Sequence, residues 1–555
     1  MATQFTCGGD ATAVLALPHP PAAPKSSAEF KASLDRWFPE GHPKTYGNAV
    51  VAYAYGICAF RDMADALATA TQPHHRIYLL GWGTDGDTEM PPAQAMRTLS
   101  DLLTNTKAQV RAMFWKHPDG PNVLPQGGGN FAIAKHLNAL PNAAAILDDK
   151  LPEIWALRLL GRRFGGIHHQ KLLVVRGSLG LIAFVGGMDM VPNRIEMNNA
   201  GEPLHDVHVR IVGEAGVVLL HNFRDRWLDH PASEALDKSK FNLDRARVRA
   251  DFAAARPVEG AAARALPTWT RATSSESCAV AVGRTFAELA KHTPSKLDYD
   301  FAPYGETTAW NLVAAGVKAT REYLYIEDQY FVSRRLSRLL ADKLRDAQFK
   351  FLLILMVGSP SIENNPELIK RAPDGTITVP NEVPFGIAAR NDIRRALTAV
   401  DPQRTKWRMF RLKDCPDPGM RPFAGSYVHS KLFICDDEYV ITGSANANDR
   451  GYTYDTELMV GITNDLYGRT IGQRFARDLR VNLWHKHLGV PHHQLDEWPK
   501  SLPLWFAPPR SAMVVDTSDL ENSPMLGPNA MLKADSPEDV TWRQAIDPDA
   551  DNYPP

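Results

Sequence analysis

Cysteine is scarce: there are five in 555 residues (Cys7, Cys58, Cys278, Cys415 and Cys435), an odd number at wide spacings. That pattern excludes a disulfide framework and offers no zinc spacing. Cys435, inside an apolar run, reads as a buried thiol. Net charge is lacking too. With 62 basic and 63 acidic residues the formal charge is −1, so no global basic field exists for gripping nucleic acid, which weighs against a dedicated nuclease. No run approaches the roughly 18 apolar residues that a membrane span needs; the longest, Phe351 to Val357, has the length of a buried strand. Met1 to Lys25 has no Lys or Arg ahead of an apolar core, so no Sec-type signal peptide is expected. The expected state is a soluble protein, cytoplasmic or exported by a signal-independent route.

What is present is a repeat. The stretch Tyr427-Val-His-Ser-Lys-Leu-Phe-Ile-Cys-Asp436 places His429 and Lys431 two apart, and on a strand both side chains share a face. The run Tyr439 to Thr442 then ends at Gly443 and Ser444, where a tight turn brings Asn446 toward His429. The stretch Gly166-Ile-His-His-Gln-Lys-Leu-Leu-Val-Val175 repeats the pattern with His169 and Lys171, and Gly186-Gly-Met-Asp189 supplies its turn. A single His-x-Lys on a strand is commonly a surface accident. Two copies 260 residues apart, each preceded by an apolar strand (Arg76 to Trp82, Tyr323 to Phe331), are not. Lysines give fixed positive charge, Asn446 a neutral donor, and imidazoles groups that titrate near neutral pH, a set suited to a phosphate.

These residues resemble the phospholipase D superfamily, whose motif is His-x-Lys-x4-Asp followed by a Gly-rich turn and a polar residue. The resemblance covers most of residues 46–490 and is strongest to the phosphatidylcholine-cleaving type of plants and some bacteria. It extends to His205-Asp-Val-His-Val-Arg210, Asn222-Phe-Arg-Asp-Arg-Trp227, Tyr325-Ile-Glu-Asp-Gln-Tyr-Phe331, Asp455-Thr-Glu457 and Asn482 to Gly489. One departure stands out. Arg176 occupies the first motif's Asp position, where the family residue resembles a support rather than a phosphate contact; Asp436 completes the second motif.

The resemblance implies hydrolysis of the distal phosphodiester of glycerophospholipids to phosphatidic acid and a free head group, through a phosphohistidine intermediate, with alcohol transfer as a side activity. It makes His169 the nucleophile and His429 the general acid that later activates water. Lys171, Lys431 and Asn446 would hold phosphate oxygens, and no metal or other cofactor is required. Each imidazole needs a carboxylate on its other nitrogen; Glu457 is expected on His429 and Asp206 on His169. Asp189 is ambiguous, because a carboxylate beside phosphate repels unless protonated or turned away. His168 and His205 are left out of the site. A phospholipid surface is the expected partner, with no nucleic acid and a monomeric state. Two alternatives stay open: a nuclease or other phosphodiesterase of the superfamily, and a non-catalytic lipid-binding relative, which Arg176 alone suggests.

At 44% apolar content the chain can fill two cores. Strands alternating with helices predict an α/β fold of two pseudo-repeated α/β/α sandwich lobes, with mixed sheets flanked by helices and the active site at the lobe interface. The expected divisions are an irregular lead-in (1–45, too short for an N-terminal calcium-binding lipid domain), a first lobe (46–229), a partly helical, solvated linker (230–278), a second lobe (279–499) and a Pro-rich acidic tail (500–555). Two long loops, 116–166 with Trp155, Leu159, Leu160 and Phe164, and 358–384, are expected to flank a cleft or touch lipid.

Overall fold

The computed structural model describes residues 32, 34–91, 97–117, 125–152, 165–194, 204–257, 272–293, 296–357, 370–371, 377–378, 382–412, 427–464 and 475–519. The first half, apart from a small separate pair (Glu89–Met90 with Arg97–Thr98), uses β1 (Lys44–Tyr53), β2 (Arg76–Gly81), β3 (Gln109–Trp115), β4 (Ala143–Asp148), β5 (Leu172–Gly177), β6 (Gly180–Gly186), the two-residue β7 (Leu204–His205) and β8 (His208–Val212). The second half uses β9 (Ala272–Phe286), β10 (Tyr323–Asp328), β11 (Phe351–Met356), β12 (Trp407–Leu412), β13 (Tyr427–Val428), β14 (Lys431–Cys435), β15 (Tyr439–Gly443) and β16 (Glu457–Asn464), with β17 (Val514–Asp516) at its edge. Helices cover both faces: α1 (Gly56–Ala68), α2 (Pro125–Ala139), α3 (Glu214–Asp229), α4 (Ser233–Phe241), α5 (Arg245–Ala253), α6 (Thr308–Ala319), α7 (Arg334–Arg345), α8 (Glu382–Val400) and α9 (Phe475–Leu488).

The repeat is complete at the level of topology. From the centre outward the first half runs β1-β8-β6-β5-β2-β3-β4 and the second β9-β16-β15-β14-β10-β11-β12. In each half the three outer strands are parallel and the rest antiparallel. β1 and β9 pair antiparallel, from Lys44 opposite Ala281 to Tyr53 opposite Ala272, so the expected two sheets merge into one. β10 and β11 are buried on both faces, as parallel strands under helices must be.

One face of the merged sheet carries a single apolar core spanning both halves, from Tyr78, Phe223 and Trp227 to Tyr325, Trp484 and Trp505. The opposite face divides into a core under α1, with Cys58, Phe60, Met63 and Leu67 pointing inward at helical spacing, and a separate one under α6 and α7. The shared face therefore fixes how the halves dock.

Composition misjudged the segments between and around the lobes. The linker over 230–278 is partly helical as expected, in α4 and α5, but it is not solvated: Asp237 accepts from Arg111 and from the Trp227 indole, each at 2.8 Å, and Val248 and Phe252 join the core. β9 begins inside it. The lead-in brings Trp37 to stack on Tyr439 of the second half at 5.3 Å. The tail contributes Trp505, fully buried, and β17 on the edge of β12. A few large apolar side chains suffice to anchor a polar segment, since one buried aromatic removes about 150–250 Å² from water, worth about 4–6 kcal/mol before entropy. The aromatics of the first long loop, positions 520–555 and the loop at 358–384, apart from the short antiparallel pair Lys370–Arg371 with Ile377–Thr378 and Glu382 to Pro384 in α8, lie outside the described residues. Among the described residues, no helix is long and apolar enough to cross a membrane.

Candidate active site

Each catalytic-motif histidine lies just ahead of its strand rather than on it. β5 starts at Leu172 and β14 at Lys431. The residues before them pair instead with the opposite half. His169 donates its backbone N–H to Thr456 at 3.0 Å, and Thr456 returns one to Ile167 at 3.0 Å. His429 donates to the His205 carbonyl at 2.7 Å, next to the parallel pairing of β13 with β7. β7 and β8 are separated at Asp206 and Val207, and that break turns Asp206 toward His429.

The side chains follow the backbone across. His169 Nδ1 donates to Glu457 at 2.9 and 3.1 Å. His429 Nδ1 donates to Asp206 at 2.7 Å. The expected partnering is therefore reversed: Glu457 serves His169 and Asp206 serves His429, because the strand junction carrying each carboxylate abuts the other half's histidine. With Nδ1 bonded, each imidazole presents Nε2 to the pocket.

Cations surround these nitrogens. Lys171 donates to the His169 carbonyl at 2.8 Å and sits over the Trp82 ring at 5.5 Å. Lys431 donates to the His429 carbonyl and to Gln329 at 3.1 Å. Arg194, which the sequence reading missed, reaches His429 Nε2 at 3.4 Å. It stands in a segment read as a polar loop, where a lone Arg carries no periodic or spacing signal. Asp189 is turned away from the imidazoles: one oxygen accepts from the Gly83 N–H at 2.9 Å, and the other lies 3.5 Å from Lys171 and 3.6 Å from Arg194. It holds two cations in place. Asn446 occupies the equivalent turn position, buried, with its side-chain carbonyl lacking a hydrogen-bond partner among the described residues.

Burial and these cations set the electrostatics. Burial first, then Lys171 and Lys431, push the proton affinity of His169 well below the usual imidazole range; burial, Lys431, Arg194 and Lys171 do the same to His429. Burial raises Asp206 and Glu457 to about 7 each, against the pull of the lysines. Burial lowers Lys431 to about 8. Positive charge converging on two suppressed imidazoles favours an anion, whose charge would raise the histidines' affinity for protons.

Two turns admit this packing for different reasons. A Cβ on Gly187 would lie 2.1 Å from an Asp206 carboxylate oxygen, so only glycine fits. At the matching position Ser444 donates its hydroxyl to Glu457. Arg176 is remote from all of this: it pairs with Asp251 of α5, 3.5 Å away, and donates to that residue's carbonyl. Asp436 instead accepts the backbone N–H groups of Arg321, Glu322 and Tyr323, capping the approach to β10.

Residues 423–503, which include the second motif, match the family description Phospholipase D. Over these residues the chain is similar to that family. It is 22% identical to phospholipase D alpha 2 of Oryza sativa subsp. japonica over 79% of this chain and 64% of that one. It is 24% identical to phospholipase D gamma 3 of Arabidopsis thaliana over 82% of this chain and 64% of that one. The chain thus spans a little under two thirds of these plant relatives. Among solved structures, a phosphatidylserine synthase of Haemophilus influenzae aligns over 79% of this chain and 88% of its own, at 13% identity and TM-score 0.49. Nuc of Salmonella typhimurium, a phospholipase D family member, aligns over 34% of this chain and 84% of its own, at 16% identity and TM-score 0.20.

Proposed function

We propose that this chain is a phospholipase D that cleaves the head-group phosphodiester of glycerophospholipids at a membrane surface, acting as a monomer. The observation that carries the reading is the pair of imidazoles, each held at Nδ1 by a carboxylate from the opposite half, with Lys171, Lys431 and Arg194 gathered beside them. His169 Nε2 attacks phosphorus, forming an N–P bond while the P–O bond to the head group breaks. His429 gives its Nε2 proton to the leaving oxygen. Water then donates a proton to His429 and its oxygen displaces His169, yielding phosphatidic acid; an alcohol in place of water yields a new diester. The lysines and Arg194 offset charge on the phosphoryl oxygens, with Asn446 as a neutral donor.

The test is choline and ethanolamine release from mixed phospholipid vesicles in EDTA by wild type, His169→Ala and His429→Ala. Release by wild type alone is expected. Wild type that spares lipid yet cleaves a p-nitrophenyl phosphodiester overturns the lipid assignment.

A further inference from the structure

Behind His429 lies a buried polar cluster that the chemistry above does not use. Glu327, at the end of β10, accepts four hydrogen bonds, two on each oxygen. Tyr325 at 2.6 Å and His487 Nε2 at 3.0 Å share one oxygen; His205 Nε2 at 2.8 Å and Ser430 at 2.7 Å share the other. Lys486 donates to His205 Nδ1 at 3.0 Å and to the Ala54 carbonyl of the first half at 2.8 Å. Glu327, His205, His487 and Ser430 are sealed from solvent.

His205, Glu327 and His487 lie close enough to hold a metal ion, but the donor pattern opposes it. A metal-bound histidine turns its other ring nitrogen, as N–H, toward an acceptor; here the other nitrogen of His205 faces an ammonium donor. All four donors on Glu327 also fill its lone pairs. Hydrogen bonds from the two histidines hold this carboxyl well below its usual range despite burial, and His205 is neutral, lowered to about 3 by burial.

We propose that Glu327 is a positioning residue for proton transfer at His429. Its ligands are the chain neighbours of that dyad: Ser430 follows His429, and His205 precedes Asp206 while its carbonyl accepts the His429 N–H. One carboxylate thus fixes both members of the His429–Asp206 pair, from both halves of the protein. The His169–Glu457 pair has a hub of opposite sign. Arg226 of α3 donates to Gln170 at 3.0 Å, to Thr456 at 3.1 Å and to Asp148, so it fixes the chain neighbours of that dyad. Disturbing Glu327 should therefore impair the protonation of a leaving group without impairing nucleophilic attack.

This inference rests on the phospholipase D reading, and the test separates them. Ser430→Ala, Ser430→Thr and Glu327→Gln are compared with wild type on a choline ester, which needs an acid, and on a p-nitrophenyl ester, whose leaving group does not. For Ser430→Ala and Glu327→Gln, choline release should fall about 10- to 100-fold while the pre-steady-state burst of p-nitrophenolate keeps its rate; Ser430→Thr should restore choline release. Equal loss of burst and choline release at unchanged Tm, no loss in Ser430→Ala, or stoichiometric metal in the purified protein would each overturn the role of Glu327 and leave the enzyme assignment standing. Wild type inactive on both esters would overturn that assignment instead. Ser430→Ala keeps the test valid if Glu327→Gln does not fold.

Discussion

Gly187→Ala isolates the contribution of the His429–Asp206 contact without touching either residue. The added Cβ would stand 2.1 Å from one Asp206 oxygen, 2.8 Å from its carboxyl carbon and 2.9 Å from the other oxygen, so the carboxylate must retreat by roughly 1 Å to reach an ordinary contact. The nearest oxygen accepts the Val207 N–H, and the other holds His429 at 2.7 Å; a carboxyl group pushed back as a rigid unit carries that second oxygen with it and stretches the bond to His429 toward the limit of the range in which such bonds hold. Losing a charge-assisted bond costs about 1.5–3 kcal/mol, which predicts a fall of about 10- to 150-fold in steps that need proton transfer by His429. Overpacking should also lower stability by about 1–3 kcal/mol, so Tm is measured alongside. In rapid-mixing experiments with a p-nitrophenyl ester the burst should keep its rate, the following steady state should slow, and choline release should slow with it. Wild-type kcat in a folded Gly187→Ala protein would refute the reasoning, because it would show that the carboxylate yields on its Val207 side and keeps its bond to His429.

Lys431, lowered to about 8 by burial against the pull of Asp206 and Asp328, is charged below that pH and neutral above it; kcat/KM should therefore fall as pH rises through about 8, and in Lys431→Arg the falling limb should move to higher pH. Arg176→Ala should leave kcat unchanged and cost less than about 1 kcal/mol by urea denaturation, since a partly exposed ion pair is worth little; a large drop in kcat would return Arg176 to the site. Trp505→Ala should cost about 3–5 kcal/mol in the same assay, because it opens a hole in the shared core at the end that composition marks as an unfolded tail.

The parts of the site that were legible in the sequence are those whose meaning is local. His169 and Lys171, or His429 and Lys431, sit two residues apart beside a Gly-rich turn, and that short separation keeps each pair together although the histidines lie just ahead of their strands. The apolar runs at Phe351 to Met356 and Arg76 to Gly81 likewise announce buried strands. What was illegible depends on docking. Glu457 reaches His169 over 288 residues, and Asp206 reaches His429 over 223. No periodicity says which half's carboxylate faces which histidine. Arg194 needed the same information, being one arginine among many until the fold sets it beside His429. The linker failed for another reason: Asp237 reads as solvated until Arg111 and Trp227 are known to bury it.

The crossed carboxylates also bear on why both motifs are carried on one chain. Neither half supplies the carboxylate for its own motif histidine, because the residue that fixes each of these two imidazoles belongs to the other half. A separated lobe would keep its His-x-Lys strand and its turn yet lose control of the tautomer. The halves are bound at the dyads themselves, by His169 to Thr456 and His429 to His205, so the contacts that complete the chemistry also set the docking. Once docking is fixed within one chain, the two half-sites are free to differ. Gly187 faces Asp206 where Ser444 bonds Glu457, Asp189 gathers cations where Asn446 is neutral, and Arg226 stands behind one dyad where Glu327 stands behind the other. A symmetric dimer of one lobe would have to place the same residue at each paired position, so it could not give the two motif histidines different surroundings. The single chain can.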